Sequence, residues 1–271
     1  MSSYKSSNPI TVGPRTKQAL IIAGGVLLLL VSALLIYNVL ITPTKQPYRD
    51  ALSQYKNVYN ANVAFSQTGA NLNASGATEE QFGKNIEVSE NALKALEVEV
   101  EALGKEEVLQ TGTGKELYDA FKEKLTAYVE YNEGVLASIR EVRPVIYNCS
   151  QLMSSVPESA TGVLEMQNCA TSVGEAAKVE DQDYKALAQA FSKSYGEFAV
   201  NLQKVTKLKD PKGADKTEYN SLLDEREMIL ESMNTASGAF AKSLQAHRAE
   251  VDITETAKAL DDYLSKKSSI F

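Results

Sequence analysis

The segment "QTGTGKE", residues 110–116, has the glycines and the lysine of a phosphate-binding loop. In such a loop a first glycine stands five residues before the Gly-Lys pair, and a serine or threonine follows the lysine to hold magnesium. Here Leu109 stands at the first position, and Glu116 follows Lys115. We therefore interpret the segment as a turn that begins a helix rather than as a nucleotide site.

Histidine chemistry is restricted to a single residue, His247. Metal sites in helical bundles combine several inward-facing ligands, commonly a Glu-x-x-His motif on each of two helices. This chain has the reverse order, His247-x-x-Glu250, and has it once. This count excludes zinc motifs that need two histidines and argues against most catalytic triads. We expect a protein that is not an enzyme and that binds no metal or cofactor.

Carboxylates gather in two short runs that resemble cation sites. Glu97, Glu99 and Glu101 alternate in "EVEVE", but residues two apart on a helix point to different sides and do not converge. Asp181 and Asp183 in "EDQDY" lack the twelve-residue loop and the glycine of a calcium site. A solvated helix face explains the first run, and a helix N-cap with an acidic first turn explains the second.

Two cysteines, Cys149 and Cys169, stand in polar surroundings, "YNCSQ" and "QNCAT". An oxidising compartment would join a solvent-facing pair of this kind in a disulfide. The bond would close a loop of about 20 residues and stabilise the fold by about 3 kcal/mol in the chain-entropy model. The alternative is two unrelated free thiols in a reducing compartment. We favour the disulfide.

An uncharged run from Ala19 to Ile41 dominates the N-terminal part of the chain. As a helix it spans roughly 34 Å at about 1.5 Å per residue, enough for a hydrocarbon core of about 30 Å. A cleaved signal peptide is the alternative, because Val31-Ser32-Ala33 resembles a cleavage site behind a basic region. The apolar run continues past that site as "LLIYNVLI". We therefore predict a retained transmembrane helix at residues 18–41.

The basic residues on the two sides of this helix do not predict its orientation in the membrane, because three precede it and three follow it closely. The net charge of the chain is −7. Residues 1–41 contribute +3, since they hold three basic residues and no acidic one, so the rest of the chain carries −10. This acidic charge and the cysteine pair favour a cytoplasmic N-terminus and an extracytoplasmic C-terminal domain. Four small residues of the helix either form a face for helix pairing, which would make a homo-oligomer, or are merely tolerated: Gly24, Gly25, Ser32 and Ala33.

The sequence predicts an all-α protein, with a single N-terminal transmembrane helix followed by an elongated antiparallel helical bundle. Residues 1–17 read as a disordered basic tail, 42–47 as a proline-containing linker and 48–271 as the bundle. Residues 148–180 lose the long helical period and are bracketed by the cysteines. We interpret them as a disulfide-bracketed cap made of short helical pieces.

Apolar residues recur at steps of three and four through most of 48–271, which is typical of helices packed side by side. One seam follows a capping box at Thr78 and ends at Gly104: Phe82, Ile86, Ser89, Leu93, Leu96, Val100 and Leu103. The next helix should start near Lys115, with Asn132 and Pro144 interrupting it and Pro144 kinking its last turns.

Two long helices and a short one should follow the cap. The first contains Phe191 and Phe198 on its seam and ends at "KDPKG". The seam of the second is expected to use two pairs of adjacent positions: Leu222 with Leu223, and Ile229 with Leu230. A short last helix should begin after Thr254.

These features favour a membrane-anchored, non-catalytic protein that acts in protein–protein interaction or scaffolding. We expect its partner to bind the flank of the bundle or the 148–180 cap. A ligand-sensing ectodomain that signals through a membrane partner is the alternative, although a tail of 17 residues leaves no room for an output domain. The acidic charge argues against a nucleic-acid partner.

Overall fold

The computed structural model describes residues 44–69 and 79–269, and these are helical with no strand among them. The prediction of an all-α protein is therefore confirmed. No helix in these two ranges is long and apolar enough to cross a membrane. The predicted anchor at 18–41, with its four small residues, and the tail at 1–17 lie outside the described residues.

Seven α-helices and one short 3₁₀-helix make up the described ranges. The first, α1, comprises residues 44–69. The others follow in order: α2 (Glu79–Leu103), the 3₁₀-helix (Glu107–Leu109), α3 (Gly112–Met153), α4 (Ala160–Ala176), α5 (Gln182–Val205), α6 (Lys216–Glu250) and α7 (Thr254–Ser268).

Helix α3 is the central element, because it packs against one group of helices along its first part and another along its second. With 42 residues it is about 63 Å long at 1.5 Å per residue. Its first part contacts α1 and α7, α2 lies along it as far as Arg143, and we call this assembly the near half. Its second part contacts α4 and α5, which in turn carry α6, and we call this assembly the far half.

Side-chain contacts fix the direction of each helix in the near half. The ring of Tyr55 packs on Phe121, and Phe65 packs on Tyr128, so α1 runs parallel to α3. The Tyr55 hydroxyl also donates to the carbonyl of Ala257 in α7 at 2.8 Å. Helix α2 runs antiparallel to α3, since the Tyr118 hydroxyl donates to the Val100 carbonyl at 3.0 Å while α2 begins beside the later turns of α3.

The predicted seam of α2 is confirmed at every position, because the buried residues of this helix are the seven residues of that seam. The weak position, Ser89, donates its hydroxyl to the Asn85 carbonyl at 3.0 Å, which satisfies the polar atom inside the core. Each fully buried aliphatic side chain contributes about 1.5–3 kcal/mol relative to an exposed one. Packing on this seam, rather than helix propensity, therefore holds α2 against the bundle.

The turn between α2 and α3 is built on two glycines. Helix α2 ends just before Gly104, as predicted, and a side chain on Gly104 would collide with the Tyr118 hydroxyl. Gly112 has φ of +57°, the left-handed conformation that glycine adopts without cost. The segment resembling a phosphate loop is therefore the turn and first residues of α3, as the sequence indicated.

Helix α3 continues through both residues that were expected to interrupt it. Asn132 stays within the helix by donating its side-chain amide to the Tyr128 carbonyl at 2.7 Å. Pro144 stands inside the helix at a cost of about 3 kcal/mol. Buried neighbours on either side, including Val142 and Cys149, keep the helix packed on the far half and outweigh that cost.

Two predicted boundaries differ from the structure. Residues 44–47 of the expected linker are helical and belong to α1. The expected cap, 148–180, is more regular than short helical pieces, because it contains the end of α3 and the whole of α4. The apolar period does not reveal α4, because small residues occupy much of its sequence. These small residues let α4 approach α5 closely, and the Ser192 hydroxyl of α5 donates to the Ala170 carbonyl of α4 at 2.7 Å.

The predicted disulfide joins Cys149 of α3 to Cys169 of α4, with the Cα atoms 5.6 Å apart. The expectation that these cysteines face solvent is wrong, because both side chains are buried. They lie opposite each other across the α3–α4 contact, where apolar neighbours cover the bond. The disulfide thus links the central helix to the far half.

We predict that replacing both cysteines, C149A/C169A, lowers the free energy of unfolding by about 3 kcal/mol, as expected for a closed loop of this length. Chemical denaturation of the full chain in mild detergent, followed by circular dichroism, measures the difference. Reduction of the native chain is the matched control and should give the same loss. A loss below about 1 kcal/mol by both routes would contradict this role of the bond.

Candidate interaction site

A groove runs between α5 and α6 on the outside of the far half. Its volume is about 570 Å³. Apolar contact surface comes from Val200 on α5 and from Met228 and Ile229 on α6. Val200 is 54% exposed and Met228 is 61% exposed, so two large apolar side chains stand in solvent on opposite walls.

The groove exists because α6 is an edge helix. Among its 35 residues, the buried ones are Leu222, Ile229 and Met233. Leu223 and Leu230, which were expected to share the seam, are 40% and 47% exposed. That expectation is wrong because α6 packs chiefly on α5, and a single neighbour buries only one narrow stripe of a helix.

A polar network fixes the floor of the groove. Asn201, which is 1% exposed, donates its amide to the Leu222 carbonyl at 2.8 Å. Its side-chain oxygen accepts from Nε of Arg226 at 2.7 Å, and Nη1 of Arg226 donates to Glu158 at 2.7 Å. The guanidinium also lies 5.5 Å from the ring centroid of Phe198. These bonds tie α6 to α5 and to the loop before α4, so the groove is a preformed surface.

The charged residues that line the groove are paired, and further acids lie on the adjoining exposed face of α6. On α5, Glu197 pairs with Lys193 at 3.7 Å, and Lys204 pairs across the groove with Glu225 at 2.9 Å. The hydrogen bond from Lys204 lowers the pKa of Glu225. Three further acids on α6 are exposed and make no ion pair within the described residues: Asp224, Glu227 and Glu231.

A second polar cluster joins the start of α5 to the end of α6. Asp183, only 7% exposed, accepts from the Ser243 hydroxyl at 2.6 Å and contacts Nδ1 of His247 at 2.7 Å. The ring of His247 also lies 6.5 Å from that of Tyr131. The hydrogen bond and charge of Asp183 raise the pKa of His247 above its ordinary value.

This cluster has the residue types of a catalytic triad but not its geometry. In a triad the serine bonds to the histidine nitrogen that the carboxylate does not use. Here serine and histidine bind the two oxygens of one carboxylate, so the histidine cannot take the proton of Ser243 by this arrangement. The cluster therefore neutralises a buried acid and fastens α6 to α5.

The remaining candidates from the sequence do not come together. Glu99 accepts from the side chain of Gln54 at 2.7 Å, whereas Glu97 and Glu101 are exposed on α2. Asp181 caps α5, accepting from the backbone N–H groups of Asp183 and Tyr184 at 3.0 and 2.9 Å. No group of three metal-binding side chains occurs within residues 44–69 and 79–269.

The sequence suggested the flank of the bundle as a contact surface but did not locate it on α5 and α6. The sequence did contain a signal: α6 has adjacent apolar residues at Leu222–Leu223 and at Ile229–Leu230. One buried stripe of a helix cannot cover both residues of such a pair, so one of them must be exposed. Val200, outside the expected seam of α5, was a second signal. Comparisons of this chain with protein-family models, curated proteins and solved structures find no match.

We predict that stability falls as pH rises through the titration of His247. Because the pKa of His247 is higher in the folded chain than its ordinary value of 6.5, the pairing with Asp183 contributes fully below 6.5 and is lost as pH rises through the folded value. Denaturation of the full chain at a series of pH values measures this slope. H247Q should flatten it, whereas S243A, which keeps the histidine, should retain it; an unchanged slope in H247Q would contradict the assignment.

Proposed function

We propose that this chain is a membrane-tethered, non-catalytic interaction protein whose α5–α6 groove docks an amphipathic helix of another protein. The exposed apolar strip of Val200 and Met228 carries the proposal. Large apolar side chains exposed on both walls of one groove are typical of a surface that a partner covers. A helix laid along α6 would give this edge helix the second neighbour that it lacks.

Charge supports a partner helix with basic residues beside its apolar stripe. The charged residues that line the groove sum to zero, because Glu197 and Glu225 balance Lys193 and Lys204. The exposed face of α6 beyond the groove adds three acids and a charge of −3. A second copy of the chain would bring the same acidic α6 against this surface, and like charges across an interface disfavour association. Lysine or arginine on the incoming helix would instead pair with Asp224, Glu227 and Glu231.

The proposed tether determines how far the groove lies from the membrane. If residues 18–41 span the bilayer, residue 44 begins the bundle at the membrane surface. The groove lies beside the part of α3 near Ile146, whose carbonyl accepts from Tyr195 of α5 at 3.1 Å. Since α3 starts at Gly112, the groove is about 50 Å from the start of this helix at 1.5 Å per residue. The bundle would thus present its docking surface well away from the lipid.

We predict that a photo-crosslinking residue at Met228 in the full-length chain, in its native membrane, forms an adduct with another protein. The crosslinked peptide should have apolar residues at steps of three and four flanked by lysine or arginine. The same probe at Val98, which is 63% exposed on α2, is the matched control and should give no such adduct. Mass spectrometry of the adducts provides the measurement.

Charge reversal on the groove should reduce this adduct. E227K/E231K reverses two unpaired acids that lie four residues apart on α6. We expect about a fivefold loss, since an exposed ion pair contributes about 0.2–1 kcal/mol and two are lost. E97K/E101K makes the same change on α2 and should have no effect. Adducts formed only between copies of this chain, or equal adducts from positions 228 and 98, would contradict the proposal.

A further inference from the structure

A second cleft lies at the opposite end of the bundle, where α1 begins and α7 ends. Its volume is about 790 Å³. The start of α1, the turn before α3 and the last turn of α7 form its walls, and Tyr48, Tyr263, Lys266 and Lys267 supply its principal polar groups. The α5–α6 groove shares none of these elements, so the two surfaces are independent.

The two tyrosines bring phenol groups together in the cleft. Their rings meet edge to face with centroids 6.0 Å apart. Burial and the hydrogen bond with Tyr48 raise the pKa of Tyr263 to about 12. This bond uses the proton of one hydroxyl and leaves the proton of the other to donate. The cleft therefore holds a neutral hydrogen-bond donor beside its lysines.

The lysines give the cleft a positive charge that contrasts with the acidic body. Neither Lys266 nor Lys267 makes an ion pair within the described residues, and Lys267 lies 6.0 Å from the ring centroid of Tyr263. Glu107 is the one acid among the lining residues. Lys45 adds a third ammonium at this end, where it donates to the Ser269 carbonyl. The charged residues that line the cleft thus carry a net charge of +1, in a chain whose residues beyond 41 carry −10.

The position of the cleft limits what reaches it. Residue 44 follows the end of the predicted anchor, Ile41, by three residues, which span at most about 11 Å even when extended. With the anchor in a bilayer, the cleft lies at the depth of the lipid headgroups. Tyrosine is enriched at this boundary, where its amphipathic ring sits at the level of the headgroups.

We infer that this cleft binds the phosphate groups of anionic phospholipid headgroups in the membrane that holds the anchor. A phosphate accepts hydrogen bonds at several oxygens and carries the charge that two ammonium groups and a phenol hydroxyl complement. The inference rests on the proposed membrane tether, because the tether brings headgroups to the cleft. Headgroup contact would hold the bundle at a fixed tilt and so fix the direction of its far half.

The test uses the full-length chain in vesicles of phosphatidylcholine, with and without a one-third share of phosphatidylglycerol. Amine-reactive labelling followed by mass spectrometry reads the accessibility of individual lysines. Lys266 and Lys267 should be labelled about fivefold more slowly in the anionic vesicles, the factor that corresponds to about 1 kcal/mol per lysine at an anionic surface. Lys207 and Lys209, in the loop after α5, are the internal control and should not change.

Two variants separate a specific cleft from general attraction. Y48F/Y263F removes both hydroxyls while keeping the charge, and it should reduce the protection of the lysines at least twofold. K207Q/K209Q removes two positive charges in the loop after α5 and should leave the protection of Lys266 and Lys267 intact. Equal labelling rates in the two vesicle types, or protection unchanged by loss of both hydroxyls, would overturn the assignment of the cleft.

Two further arms identify the source of the phosphate and isolate the tether. Glycerol 3-phosphate added to the chain in neutral detergent should not protect the lysines, and protection there would reassign the cleft to a soluble phosphate ester.

Flotation with pure phosphatidylcholine vesicles tests the tether alone. A chain that fails to float with these vesicles but floats with anionic ones would contradict the tether and retain the headgroup site; a chain that floats with neither would contradict both.

Discussion

The shared use of α3 by two groups of helices is the constraint on which the described structure depends. Phe121, Leu125 and Val129 bury the first part of this helix against the near half. Val142, Cys149 and Met153 bury its second part against the far half. A helix of this length with an internal proline would be weak alone, and packing along both parts keeps it continuous. Neither half can keep its own core without it.

This arrangement explains why one end of the molecule offers an open surface. In the near half, α1 and α7 pack on the first part of α3, and α2 lies along α3 as far as Arg143. In the far half, a narrow stripe of buried apolar residues and two side-chain hydrogen bonds hold α6 on α5. Asn201 bonds to Arg226 near one end, and Asp183 bonds to His247 near the other. These hydrogen bonds stabilise the position of α6 without burying its outer face. The proposed docking groove is the consequence of that incomplete packing.

The sequence predicted most of the helices because their buried stripes keep a regular period. The seam of α2 is correct residue by residue, and Asp181 is correct as the N-cap of α5. The prediction failed where burial depends on neighbours that a single sequence does not reveal. Leu223 and Leu230 look as apolar as Leu222 and Ile229, and only the number of helices around α6 decides which of them are covered. In α4, small residues replace large ones because α5 approaches closely, so the period was lost.

The candidate surfaces were less predictable than the fold for a related reason. The groove is defined by residues of two helices, and the cleft by residues more than 200 positions apart, such as Tyr48 and Tyr263. Local patterns identify neither combination. The disulfide was predictable because the chain has only two cysteines, whereas their burial was not, since it results from the contact of α3 with α4.

Hydrogen exchange of the full chain under increasing denaturant tests the central role of α3 most directly. If both halves depend on this helix, the slowest amides of α2 and of α5 should exchange with the same free energy and the same denaturant dependence, through one global unfolding event. Exchange of the α5 amides at distinctly lower free energy, while the α2 amides stay protected, would show that the halves unfold separately and would contradict the account.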